Sequence, residues 1–142
     1  MPCTCGIIEA MQKHFKIIFI LFLIALVLAW GQARGSGGKM TYKQISQEQA
    51  KTIMQQRSDI IIVDARTFEE FAEGHIPDAV CIPVESIQNI PPKELGDKKQ
   101  TVLVYCRSGR RSKIAAQKLA EMGYENILEF GGIITWKYEI VK

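Results

Sequence analysis

Cys106-Arg107-Ser108-Gly109-Arg110-Arg111 puts one thiol at the head of a glycine-hinged loop that carries three arginines. The cysteine offers a soft nucleophile and the guanidinium groups offer fixed positive charge. Gly109 lets the main chain turn where a side chain would obstruct it. Residues of these types at this spacing suit covalent chemistry on an anionic substrate. Thr101 to Tyr105, just ahead, is apolar and β-branched enough for a buried strand. Behind it, Ser112 to Met122 spaces Ile114, Ala115, Leu119 and Met122 for a helix that Gly123 closes. Strand, short loop and helix bring successive backbone N–H groups together near a helix N-terminus, so the loop is a cradle for an anionic sulfur. A core cysteine followed by a solvated basic turn is the plainer alternative. Three arginines within five residues, none on an apolar face, count against it.

The elements that must position this loop are legible along residues 41–142. Tyr42 to Ile45 reads as a first short strand. Ser46-Gln47-Glu48-Gln49 has capping-box form and opens a helix to about Arg57, with Ala50, Ile53 and Met54 inward. Ile60 to Val63 is the continuous apolar run of a strand covered on both faces. A second capping box, Thr67-Phe68-Glu69-Glu70, starts a short helix ending at Gly74, and Pro77-Asp78 turns into a strand around Val80. Ile90-Pro91-Pro92 breaks what precedes it, and the polar stretch to Gln100 reads as a surface connection. Asn126 to Phe130 is a further strand, followed by Gly131-Gly132 and a terminal helix holding Trp136. Alternating strands and helices predict an α/β domain with a mainly parallel sheet, in which ligands bind beyond the carboxyl ends of strands. Cys106 lies at such an end.

Residues 1–33 read as a secretory signal peptide. Ile17 to Trp30 is an apolar run preceded by Lys13, His14 and Lys16, and followed by Gly31-Gln32-Ala33. As a helix its 14 residues span about 21 Å, short of a hydrocarbon core of about 30 Å. Cleavage after Ala33 leaves a soluble domain in the periplasm or outside the cell. Without cleavage the segment is a membrane anchor holding the domain outside the cytoplasm. Met11 would serve as an alternative start, which empties Cys3 and Cys5 of meaning. Residues 34–40, with Gly35-Ser36-Gly37-Gly38, form a flexible linker. The chain has 142 residues, room for one domain, and a net charge of +3 that is too small for nucleic-acid binding. The two remaining cysteines, Cys81 and Cys106, do not make a disulfide framework, and Cys81 in an apolar run reads as a small hydrophobe.

Several segments together resemble the rhodanese-homology domain. They are Val63-Asp64-Ala65-Arg66, Phe71 to Pro77, Ala79 to Pro83, Val104 to Ser112, and Gly131-Gly132 with Trp136. Their order matches the family from about residue 42 to the end, and a leader with one such domain is similar to the small exported bacterial rhodaneses. The resemblance implies a three-layer domain with a five-stranded sheet flanked by helices. It implies Cys106 as the nucleophile that becomes a persulfide, cradled by Arg107, Ser108, Gly109, Arg110 and Arg111. Asp64 and Arg66 then have the look of a structural ion pair. Position 81 departs from the pattern, which usually has a residue other than cysteine there.

The implied reaction moves sulfane sulfur from thiosulfate, or from a persulfide donor, to a thiol or cyanide. It needs no metal or other cofactor and is of the ping-pong kind. Arg111, closing the loop, is the arginine expected to bind the donor, with one of the other two a solvated surface charge. A monomer is expected, with a thiol-reductant protein as a partner if export exposes the lone thiol to oxidation. Two further readings use the same residues: a persulfide carrier or thiol-redox protein, and a non-catalytic interaction module. Cell-cycle phosphatases share the fold but place their arginine one residue later than Arg111, where this chain has Ser112, so their wider phosphate loop is not formed.

Overall fold

The computed structural model describes residues 41–142; the expected signal peptide and linker lie outside them. Within this span the chain runs β1 (Lys43–Gln44), α1 (Gln47–Gln56), β2 (Ile60–Asp64), α2 (Phe68–Glu73), β3 (Ala79–Cys81), β4 (Thr101–Cys106), α3 (Arg110–Glu121) and β5 (Asn126–Gly132), closing with a 3₁₀ turn at Ile133–Thr135. Both capping boxes form. The Ser46 hydroxyl accepts from the Gln49 amide at 3.2 Å while the Gln49 side chain accepts from the Ser46 amide at 2.9 Å. Thr67 and Glu70 repeat the exchange at 3.3 and 3.2 Å. Each box satisfies amides that a helix start leaves without intrahelical partners, which fixes where α1 and α2 begin.

The five strands form one sheet in the order β1-β5-β4-β2-β3, every neighbouring pair parallel. β4 is central and buried at all six positions, which is why Thr101 to Tyr105 reads as an unbroken apolar run. Its side chains alternate between two cores. Val102, Val104 and Cys106 share one with Val63 and with Ala115, Ala116, Leu119 and Ala120 of α3. Leu103 and Tyr105 share the other with Ile62, Phe130, Trp136 and Ala50 of α1. Burying a leucine or valine of this kind stabilises the fold by about 1.5–3 kcal/mol.

From β2 the chain moves outward to β3, whereas from β4 it moves the other way to β5. The direction of winding therefore reverses between β2 and β4, the place where a parallel sheet opens a crevice beyond its carboxyl ends. Main-chain bonding continues there: the Ala65 amide donates to the Tyr105 carbonyl at 2.9 Å.

Two expectations are corrected. The terminal helix is only the 3₁₀ turn, and Trp136 follows it as its cap with its indole N–H donating to the Glu139 carbonyl at 3.2 Å. Trp136 packs on Phe130 and Tyr138, so tertiary packing rather than helix formation places it. The connection before β4 is not purely superficial either. Ile87 and Leu95 are buried in the α3-side core, and the Tyr124 hydroxyl donates to the Leu95 carbonyl at 2.6 Å.

Candidate active site

Cys106 is the last residue of β4 and is 1% exposed. That degree of enclosure is what a core cysteine would have, but the partner of its sulfur is not. The Gly109 amide donates to Cys106 Sγ at 3.1 Å, so the chain folds back over the thiol within three residues. Gly109 reaches this position at φ 94°, a left-handed conformation that side chains disfavour. It is also the residue preceding α3, and having no side chain it leaves that helix without a side-chain cap. The first-turn amides of α3 therefore lack both intrahelical acceptors and a capping oxygen, at the positive end of the helix.

The loop is held from behind by β5. A Cβ on Gly132 would lie 2.6 Å from Ser108 Cα and would overlap the Arg107 carbonyl. Only glycine lets the two main chains approach this closely. The Ile134 amide then donates to the Arg107 carbonyl at 3.2 Å and ties the loop to the 3₁₀ turn.

Arg107, Ser108 and Arg110 are exposed, and neither arginine has an acidic partner among the described residues. Arg111 is placed differently. Its guanidinium grips the Glu70 carboxylate of α2 through two bonds, at 2.6 and 2.7 Å. The Arg111 bonds hold the Glu70 carboxyl down at about 2, against the opposing effect of burial. One carboxylate thus closes the α2 capping box and bridges from α2 to α3 across the crevice. Asp64 and Arg66 form a buried pair at 2.6 Å at the end of β2, and Arg66 also donates to the Gly74 carbonyl at 2.8 Å. This pair fixes the β2–α2 corner on the opposite side of the crevice from the cysteine loop.

Residues 46–139, which contain all of this site, match the rhodanese-like domain. The chain belongs to the rhodanese family. This rhodanese is 38% identical over 99 residues to thiosulfate sulfurtransferase GlpE of Coxiella burnetii, a match covering 69% of the chain and 90% of the relative. It is 39% identical over 94 residues to a sulfurtransferase of Allochromatium vinosum, covering 66% and 86%. Among solved structures it resembles a rhodanese with anions from E. coli at 32% identity and a TM-score of 0.54, covering 58% of this chain and 98% of that one.

The second described cysteine of this rhodanese lies apart from the first. Cys81 pairs in register with Asp64 of β2, and Asp64 pairs with Tyr105 of β4. A whole strand therefore separates Cys81 from β4, about 10 Å at the usual strand spacing, and a disulfide needs Cα atoms within about 7 Å. Burial, reinforced by the Asp64 carboxylate, pushes the Cys81 thiol up to about 11. Two neighbours of the loop carry no distinct sequence signal for their placement: Glu70 as the partner of Arg111 and Glu129 beside Ser112. Each acts across a distance that is large along the chain and small in space.

Proposed function

We propose that this rhodanese is a sulfurtransferase that takes sulfane sulfur from thiosulfate, or from a persulfide donor, and passes it to a thiol or cyanide through a persulfide on Cys106. The observation that carries the reading is the Gly109 amide aimed at Cys106 Sγ at 3.1 Å, at the uncapped start of α3. A main-chain donor and a positive helix end are suited to receive the negative charge that a persulfide carries there. Sulfurtransferase relatives at 38% and 39% identity support the same chemistry.

In the first half-reaction the Cys106 thiolate attacks the outer sulfur of thiosulfate. The Sγ–S bond forms, the S–S bond of the donor breaks, and sulfite leaves with that electron pair. Charge is conserved, since a thiolate and a dianion become a persulfide anion and a dianion. In the second half the acceptor anion attacks the terminal sulfur and Cys106 leaves as thiolate, which restores the enzyme. Main-chain amides present before and after transfer receive the charge with little reorganisation. Arg107 and Arg110, with no carboxylate partner among the described residues, attract the dianionic donor. Arg111, expected from the sequence to bind the donor, instead shares its charge with Glu70, so its part here is to hold the loop against α2.

The reading extends to export of the mature domain, on the residues of the N-terminal leader alone. Amino-terminal sequencing that begins after Ala33 would support it, and protein recovered with residue 1 or 11 in the cytosol would sink it. For the chemistry, the purified protein is mixed with thiosulfate and weighed by mass spectrometry. A gain of one sulfur atom is expected, lost in Cys106→Ser. If the native protein never gains sulfur from thiosulfate or from a small persulfide, the enzyme reading fails.

A further inference from the structure

Glu129 carries a carboxylate that the sulfur-transfer chemistry does not use. It is 2% exposed and has no cationic partner among the described residues. A buried carboxylate is costly unless donors surround it. Three do: the Ser112 hydroxyl at 2.6 Å, the Gly131 amide at 2.9 Å and the Gln44 side-chain amide at 3.2 Å. The Ser112 oxygen also lies 3.0 Å from the Gly109 carbonyl and 3.3 Å from the Gly131 carbonyl. A serine has one proton to give, and the shortest of the three contacts, to the Glu129 oxygen, takes it.

Two of these donors, Ser112 and Gly131, are the two sides of the wall behind the cysteine loop. Ser112 stands in the first turn of α3, directly after the loop. Gly131 opens the turn that presses on the loop, and a Cβ on Gly109 would sit 3.4 Å from its Cα. Tying Ser112 to Gly131 through one carboxylate fixes the gap into which Gly109 is wedged. The direction of the Gly109 N–H, and hence its aim at Cys106, follows from that gap.

We infer that Glu129 is a positioning residue for sulfur transfer: through Ser112 and Gly131 it sets the main-chain amide that faces the Cys106 sulfur. The inference rests on residues 106–111 being the sulfur-transfer loop. Glu129→Gln keeps an oxygen that accepts from both Ser112 and Gly131, whereas Glu129→Ala removes it.

The test measures the saturating rate of persulfide formation and the half-saturating thiosulfate concentration for both variants in the full chain. Glu129→Ala is expected to lower the saturating rate at least about tenfold with half-saturation within about threefold, because donor attraction depends on the exposed arginines. Glu129→Gln is expected to return most of the rate. A second readout does not depend on sulfur transfer: amide hydrogen exchange at Gly109, compared with Leu103 in the core of β4. Exchange should quicken at Gly109 but not at Leu103 in Glu129→Ala and stay at the native rate in Glu129→Gln. Where Glu129→Ala does not fold, Ser112→Ala takes its place with the same expected losses.

The inference is overturned if Glu129→Ala keeps native values in both readouts, or if Glu129→Gln is as impaired as Glu129→Ala. Exchange rising equally at Gly109 and Leu103 would also overturn it, since that marks general loosening. If the native protein takes no sulfur from thiosulfate or from a small persulfide, the proposed function fails separately, and Gly109 exchange decides the role of Glu129.

Discussion

Cys106 and Cys81 are the same residue type in one small domain, and their surroundings differ. Cys106 meets a main-chain donor at 3.1 Å, at the start of a helix. Cys81 faces the Arg66 carbonyl at 3.7 Å and is pushed up to about 11 by burial and by Asp64. Cys81→Ser is therefore expected to leave sulfur transfer within about twofold of the native rate, since a thiol that stays protonated is a poor nucleophile. Steady-state turnover with thiosulfate and cyanide checks this, and a large loss would show that Cys81 takes part. Gly132→Ala should behave very differently. Its methyl group would collide with the Arg107 carbonyl, so the loop must move, and a displaced nucleophile costs about a hundredfold in rate. Retention of full activity in that variant would mean that the loop tolerates more movement than its packing implies.

At the scale of elements, the Glu70–Arg111 pair joins α2 to α3 over the mouth of the crevice. Glu70 is held down at about 2 in the folded state, while an unfolded glutamate titrates near about 4.3. Its stabilising effect is thus fully present above about pH 4.3 and disappears as pH falls through about 2. Both side chains keep some solvent contact, at 21% and 24% exposure, so the contribution is about 1–2 kcal/mol after screening. Urea unfolding should show Glu70→Gln weaker by that amount at pH 7, with the gap closing on acidification between about pH 4 and 2. A gap that is constant with pH would remove the pair from the stability balance. The sequence made α2 and α3 visible through their capping box and periodicity, and made β4 visible through its apolar run. It did not show that Glu70 and Arg111 meet, because 41 positions separate them along the chain. Trp136 misled for a related reason: its burial comes from Phe130 and Tyr138, and says nothing about helix.

Across the whole molecule, net charge is only +3, yet Arg107 and Arg110 stand exposed on the carboxyl edge of the sheet beside the cysteine loop. Attraction of a dianionic donor should therefore be local and sensitive to screening. Raising ionic strength from about 0.01 to 0.15 M is expected to lower kcat/KM for thiosulfate several-fold while kcat holds. Rates that ignore salt would assign these arginines to solvent. The fold and the loop were legible because the family pattern runs in order along the chain and the proposed nucleophile lies inside one continuous motif. Glu129 was not, since its significance exists only once β5 is laid against β4, and the sequence marks Gly131-Gly132 but not the close approach of Gly132 to Arg107. The placing of β2 between the two described cysteines has a consequence for how such a protein behaves when its customers are scarce. On the proposed function, a sulfur atom taken up at residue 106 meets no neighbouring thiol among the described residues, so discharge waits on an encounter with another molecule. Given donor and little acceptor, the chain is expected to rest charged, as a small reservoir of reactive sulfur.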